Sequence, residues 1–132
     1  MPNPVRILLV DDNPTFLTAA ERLLTSRPSS FAVVGRACSG EEALERVVAL
    51  QPDLVLMDVA MPGLNGLEAT RRIKAEPDPP RVIVLTLHDG AVYRDAARNA
   101  GADGFVSKAR LDQALVPLAR SLFPQLEGPV DG

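Results

Sequence analysis

Five short aliphatic runs, each followed by a longer stretch with helical spacing, constrain the fold of this 132-residue chain more than any other feature. The runs are Val5-Arg6-Ile7-Leu8-Leu9-Val10, residues 31–37, Leu54-Val55-Leu56-Met57, Val82-Ile83-Val84-Leu85 and Gly104-Phe105-Val106-Ser107. Near-continuous Val, Ile and Leu runs suit strands buried on both faces, which means a parallel sheet. Parallel neighbours need crossover connections, and helices supply them. The class is therefore α/β, one doubly wound sheet with helices on both faces and right-handed crossovers.

The intervening stretches carry the helix signals. Residues 14–27 place Phe16, Leu17, Ala20, Leu23 and Leu24 on one face, with Asp12 or Asn13 as cap and Pro14 in the first turn. Ser39-Gly40-Glu41-Glu42 spells a capping box before a stripe of Ala43, Leu44, Val47 and Val48 that ends at Pro52. A loop over 59–65 holds the Pro62-Gly63 turn signal, and a helix over 66–75 turns Leu67, Thr70 and Ile73 inward. Glu76-Pro77-Asp78-Pro79-Pro80 is a rigid connection. A weaker helix over 91–100 closes at Gly101. The last helix, over 111–123, buries Leu111, Ala114, Leu115, Leu118 and Leu122. Pro117 lies inside it and ordinarily costs about 3 kcal/mol, so a bend or a late restart is expected. Residues 1–123 form the domain in this reading, and 124–132, without a core face, read as a linker or disordered tail.

Composition narrows the function. Aromatic residues make up 4% and Trp is absent, so the core is aliphatic. The net charge of -3, from 17 acids against 14 bases, offers no field for nucleic acid, and no Lys/Arg run appears. The single cysteine, Cys38, allows no internal disulfide and reads as a small apolar filler near the second strand. No segment approaches the roughly 20 apolar residues of a membrane span. The amino-terminal apolar stretch is too short for a signal peptide and ends in two acids. A soluble cytoplasmic domain that binds neither membrane nor nucleic acid is the expectation.

The strand ends carry the chemistry. Asp11-Asp12 follow the first run, Asp58 the third, Thr86 the fourth and Lys108 the fifth. In a parallel sheet these groups emerge on one edge, where doubly wound sheets bind ligands. If the first and third strands are neighbours, three carboxylates converge. Like charges raise one another's pKa unless a cation joins them. Hard oxygen donors without His or Cys suit Mg²⁺. An aspartate there can attack phosphorus, with Lys108 and the Thr86 hydroxyl available to phosphoryl oxygens. Each residue has a plainer reading alone: caps for Asp11, Asp12 and Thr86, an Asx-turn for Asp58, a solvated base for Lys108. The five placements together outweigh these. His88 reads as an exposed surface residue.

With Asp11-Asp12, Leu56-Met57-Asp58-Val59-Ala60-Met61-Pro62-Gly63-Leu64-Asn65-Gly66, Leu85-Thr86 and Gly101-Ala102-Asp103-Gly104-Phe105-Val106-Ser107-Lys108, the chain resembles the receiver domains of bacterial two-component response regulators. The likeness runs over about residues 5–123. Residues 40–108 are most similar to receivers of the helix-turn-helix (NarL/FixJ-type) subfamily. The resemblance implies a flavodoxin-like five-stranded sheet of order 2-1-3-4-5 with five helices. It implies that Asp58 is the catalytic phosphoacceptor, served by a histidine kinase or phosphotransfer protein. Asp11, Asp12, Asp58 and the backbone carbonyl of Ala60 would hold Mg²⁺. Lys108 would pair with the phosphoryl group, Thr86 would move to bind it, and Phe105 would swing inward. The family often has Tyr at the Phe105 position; Phe can follow the packing change without a hydroxyl outside. Ala60 and His88 stand at positions that vary and tune dephosphorylation.

The face of the fourth helix, fifth strand and fifth helix is the family's surface for dimers and partners, so a phosphorylation-dependent homodimer is an expectation. Transcriptional output would come from a DNA-binding domain absent from this chain; a stand-alone receiver acting by protein contacts is the alternative. An Asp-nucleophile phosphatase would typically carry Asp-x-Asp after the first strand, a spacing that Asp11-Asp12-Asn13 lacks. A flavin carrier would need a Ser/Thr/Gly-rich loop there, which is missing. The expectation is a switch and not an enzyme.

Overall fold

The computed structural model describes residues 3–26, 30–61, 63–87 and 91–124. Expectations for Arg27, Pro62, His88 and residues 125–132 fall outside them. The described residues alternate strictly: β1 (Val5–Val10), α1 (Pro14–Thr25), β2 (Phe31–Ala37), α2 (Gly40–Leu50), β3 (Leu54–Asp58), α3 (Gly66–Lys74), β4 (Arg81–Thr86), α4 (Ala91–Asn99), β5 (Gly104–Ser107) and α5 (Leu111–Leu122). A 3-10 turn, Lys108–Arg110, separates β5 from α5. All strand pairs are parallel, in the order β2-β1-β3-β4-β5. Strand order reverses between β1 and β3, which opens the ligand crevice of doubly wound sheets at their carboxyl ends.

The aliphatic runs are continuous because each strand feeds two cores. Ile7, Leu9, Leu54, Leu56, Ile83 and Leu85 pack with Leu17, Leu24 and Leu115 on the α1–α5 side. The alternate residues Leu8, Val10, Val55, Met57, Val82 and Val84 pack with Ala43, Ala69, Ile73 and Ala97 on the α2–α3–α4 side. Asn13, not Asp12, caps α1: its Oδ1 accepts the N–H groups of Thr15 and Phe16 at 3.0 and 3.3 Å. Ser39 caps α2 through the Glu42 N–H at 3.1 Å, but Glu42 reaches back to the Cys38 N–H, at 2.8 Å.

Three expectations are corrected. Val48 is 78% exposed, because α2 covers only a narrow strip of sheet and Leu50, not Val48, completes its packing against the core. Cys38 is exposed, since it lies past the end of β2 and not within it. α5 does not restart at Pro117: it runs unbroken from Leu111 to Leu122, with Pro117 on its solvent side and Leu111, Leu115 and Ala119 buried.

Candidate functional site

Asp11 follows β1 directly and Asp58 ends β3. These strands are neighbours, with Val10 opposite Met57, so the two side chains emerge side by side. Asp12 joins them. Ligand oxygens of Asp11, Asp12 and Asp58 all lie within 4.8 Å of one another, with Asp11 and Asp58 buried and Asp12 exposed. The 3-10 turn after β5 sends Lys108 back over the end of β4. Its Nζ stands 2.5 Å from Asp11 Oδ2 and 3.0 Å from Asp58 Oδ1. Asp11 Oδ1 also accepts the Asn13 N–H at 2.9 Å, which fixes its carboxylate.

Thr86, the last residue of β4, is buried and paired in register with Ser107. It lies one residue beyond Leu85, the register partner of Asp58. Ala60 is exposed, two residues past Asp58 on the same edge. Phe105 stands apart from the carboxylates. It is half-buried on the α4 side of the sheet, with the Arg94 guanidinium 5.5 Å from its ring centroid. One member escapes the sequence pattern: the Phe16 ring lies 4.2 Å from Lys108 Nζ. Its helical spacing marks it as core. A large aromatic in the first turn after an acidic pair is the signal that could have flagged it.

The loop between β3 and α3 is held tightly under Asp58. Gly66 donates its N–H to the Val59 carbonyl at 3.1 Å. A Cβ on Gly66 would lie 1.9 Å from the Asp58 carbonyl oxygen, so only glycine permits this approach. Glu41 of α2 steadies the loop by accepting the Leu64 N–H at 3.1 Å.

Burial pushes the Asp58 carboxyl above its ordinary value. The Lys108 hydrogen bond pulls it down and the Asp11 charge pushes it up, leaving it raised. Burial alone would lower Lys108, but its bonds to Asp11 and Asp58 outweigh that and raise it. Three carboxyl groups face one ammonium here, two of them buried and one exposed. Clustered hard oxygens with no His or Cys among them fit a divalent cation such as Mg²⁺.

A doubly wound sheet with acids beyond β1 and β3, a hydroxyl ending β4 and a lysine after β5 defines the receivers of two-component signalling. Residues 7–120 match the response regulator receiver domain, and the chain belongs to that family. It is 37% identical over 119 residues to the response regulator GacA of Pseudomonas viridiflava, covering 90% of this chain and 55% of that protein. It is 36% identical over 105 residues to the nitrate/nitrite response regulator protein NarL of Escherichia coli strain K12, covering 80% and 48%. The chain thus spans about half the length of the curated relatives it matches. Among solved structures, a LuxR-family two-component response regulator from Aurantimonas sp. SI85-9A1 superposes with a TM-score of 0.86 at 35% identity, over 92% of this chain and 86% of that one. The response regulator domain of Thermotoga maritima CheB gives 0.81 at 31% identity, over 89% and 95%. The fold and family expectations hold. Receiver domains bind Mg²⁺ at an acidic pocket and interact with histidine kinases or phosphotransfer proteins, and this chain carries an aspartate cluster at the same edge of its sheet. No helix among the described residues is long and apolar enough to cross a membrane.

Proposed function

We propose that this chain is a phosphoacceptor switch in which Asp58 receives a phosphoryl group from a histidine kinase or phosphotransfer protein. The observation that carries this reading is the Lys108 ammonium, 3.0 Å from Asp58 Oδ1 and 2.5 Å from Asp11 Oδ2, among three clustered carboxylates. An Asp58 carboxylate oxygen attacks phosphorus, the bond from phosphorus to the donor breaks, and its electron pair leaves with the donor. The Lys108 hydrogen bond favours the ionised form of Asp58 against the burial that disfavours it. Lys108 then exchanges a carboxylate contact for a phosphoryl oxygen. Asp11, Asp12, Asp58 and the Ala60 carbonyl are the groups that hold Mg²⁺. When bound, it supplies positive charge against the oxygens that gather there.

The phosphoryl group adds about two negative charges, and the Thr86 hydroxyl moves to bind it. Phe105 follows inward, and the α4 face repacks to the extent that its two arrangements differ in affinity for the modified site. Leu87 and Val92, 74% and 78% exposed, give this face the apolar surface that a phosphorylation-dependent homodimer covers. Relatives named as response regulators and as a transcriptional regulatory protein support an output in transcription, exerted in the cytoplasm through a DNA-binding domain outside this chain. Residues 1–123 act as the receiver. The test is incubation with acetyl phosphate and Mg²⁺, followed by intact mass. Wild type should gain one phosphoryl group and Asp58→Asn none. An unlabelled wild type, or equal labelling of both, would overturn the reading.

A further inference from the structure

Phe16 belongs to two environments at once. It packs against the core beneath α1 and α5, and its ring lies 4.2 Å from Lys108 Nζ. The ammonium has three N–H donors. Two directions lead to Asp11 Oδ2 and Asp58 Oδ1. The ring attracts the charge through its quadrupole and asks for no single hydrogen-bond direction.

The local chain dictates this placement. Asn13 donates its N–H to Asp11 Oδ1 at 2.9 Å, and Asn13 Oδ1 accepts the Phe16 N–H at 3.3 Å. The carboxylate and the ring are thus built on one turn. Side chains in the first turn of a helix lean back towards its amino end, which here is the carboxyl edge of the sheet. Phe16 is only half-buried, so the core does not account for the whole of its ring.

We propose that Phe16 is a positioning residue for the phosphoacceptor centre. Its ring face holds the Lys108 ammonium while one carboxylate hydrogen bond is exchanged for an oxygen of the arriving phosphoryl group. The inference rests on the reading of Asp58 as the acceptor. During the exchange a side chain only 12% exposed loses an anionic partner, and little water can replace it. The ring contact persists through the exchange. It adds no charge to the cluster.

The experiment compares wild type, Phe16→Leu, Phe16→Trp and protein carrying trifluorinated phenylalanine at position 16. Fluorine weakens the ring face and nearly preserves its shape. Labelling by acetyl phosphate at saturating Mg²⁺ is followed by intact mass. Wild type should label, the fluorinated and Leu forms should label about three- to thirtyfold more slowly, and Phe16→Trp should keep at least the wild-type rate. A second readout needs no metal: Phe16→Leu and Lys108→Met should show coupled, non-additive losses in urea unfolding. If Phe16→Leu fails to fold, the fluorinated ring carries the comparison. Wild-type rates for the fluorinated protein, or additive losses, would overturn the role of Phe16 and leave Asp58 as acceptor. A wild type that takes no label would overturn both.

Discussion

Lys108→Met removes the ammonium and keeps an apolar stem, which isolates the charge. At 2.5 and 3.0 Å, and an effective dielectric of about 20, Lys108 attracts each carboxylate by about 6 kcal/mol before desolvation is counted. Desolvation of the three groups offsets most of that gain. What the variant cannot recover is the burial of two like charges. The Asp11 and Asp58 side chains are 1% and 6% exposed, and their ligand oxygens, within 4.8 Å of each other, repel by at least about 3.5 kcal/mol at the same dielectric. Breaking a buried pair by removing one partner costs about 3–5 kcal/mol, which agrees. In EDTA, urea unfolding followed by circular dichroism should therefore show a loss of about 3–4 kcal/mol. Mg²⁺ should restore more stability to Lys108→Met than it adds to wild type, because the divalent charge takes over the missing cation's task. Adding Asp58→Asn should recover part of the loss even in EDTA. A loss under about 1 kcal/mol, or a Mg²⁺ gain no larger than in wild type, would refute the electrostatic account of the pocket.

Further outcomes follow from the same structure. Asp58 has a raised pKa in the fold, so its contribution to stability is fully present below the ordinary value of 3.8 and is lost as pH rises through the raised value. Metal-free Asp58→Asn should thus gain on wild type as pH rises above 3.8 in paired urea titrations, and a relative loss would contradict the burial assigned to this carboxyl. Lys108 is raised too, so its contribution is present below 10.5 and disappears as pH rises through its folded value; alkaline titration of wild type against Lys108→Met reads it. Gly66→Ala sets a Cβ against the Asp58 carbonyl, which is backbone and cannot turn aside. It should cost about 2–3 kcal/mol and slow labelling of Asp58, although Gly→Ala in a helix ordinarily stabilises; unchanged thermal melting would refute the contact. Pro117→Ala restores a backbone donor to an exposed position of an unbroken helix and should raise stability by about 1–3 kcal/mol by calorimetry, with a loss counting against the continuity of α5.

The sheet was legible because its signal is local and repeated. Each buried strand is apolar on both faces, and the starts of α1 and α2 carry their own caps, Asn13 and Ser39. The convergence of Asp11, Asp58 and Lys108 was legible too, once topology put the ends of β1, β3 and β5 on one edge. Val48 was misread because helical spacing shows which way a residue points and not how wide the covering surface is. Cys38 was misread because one residue past a strand end changes interior to surface. The contact between Phe16 and Lys108 was hidden for another reason. It joins residues brought together only by the tertiary fold, and the same phenylalanine already satisfies the core pattern.

The lysine that closes the pocket is rooted beyond β5, whereas the aspartate it grips follows β1, with β4 and β3 between them. It works as a tether strung across the sheet's width. A relative displacement of the β1 and β5 tips therefore changes the Lys108–Asp11 separation as well as the strand pairing between them.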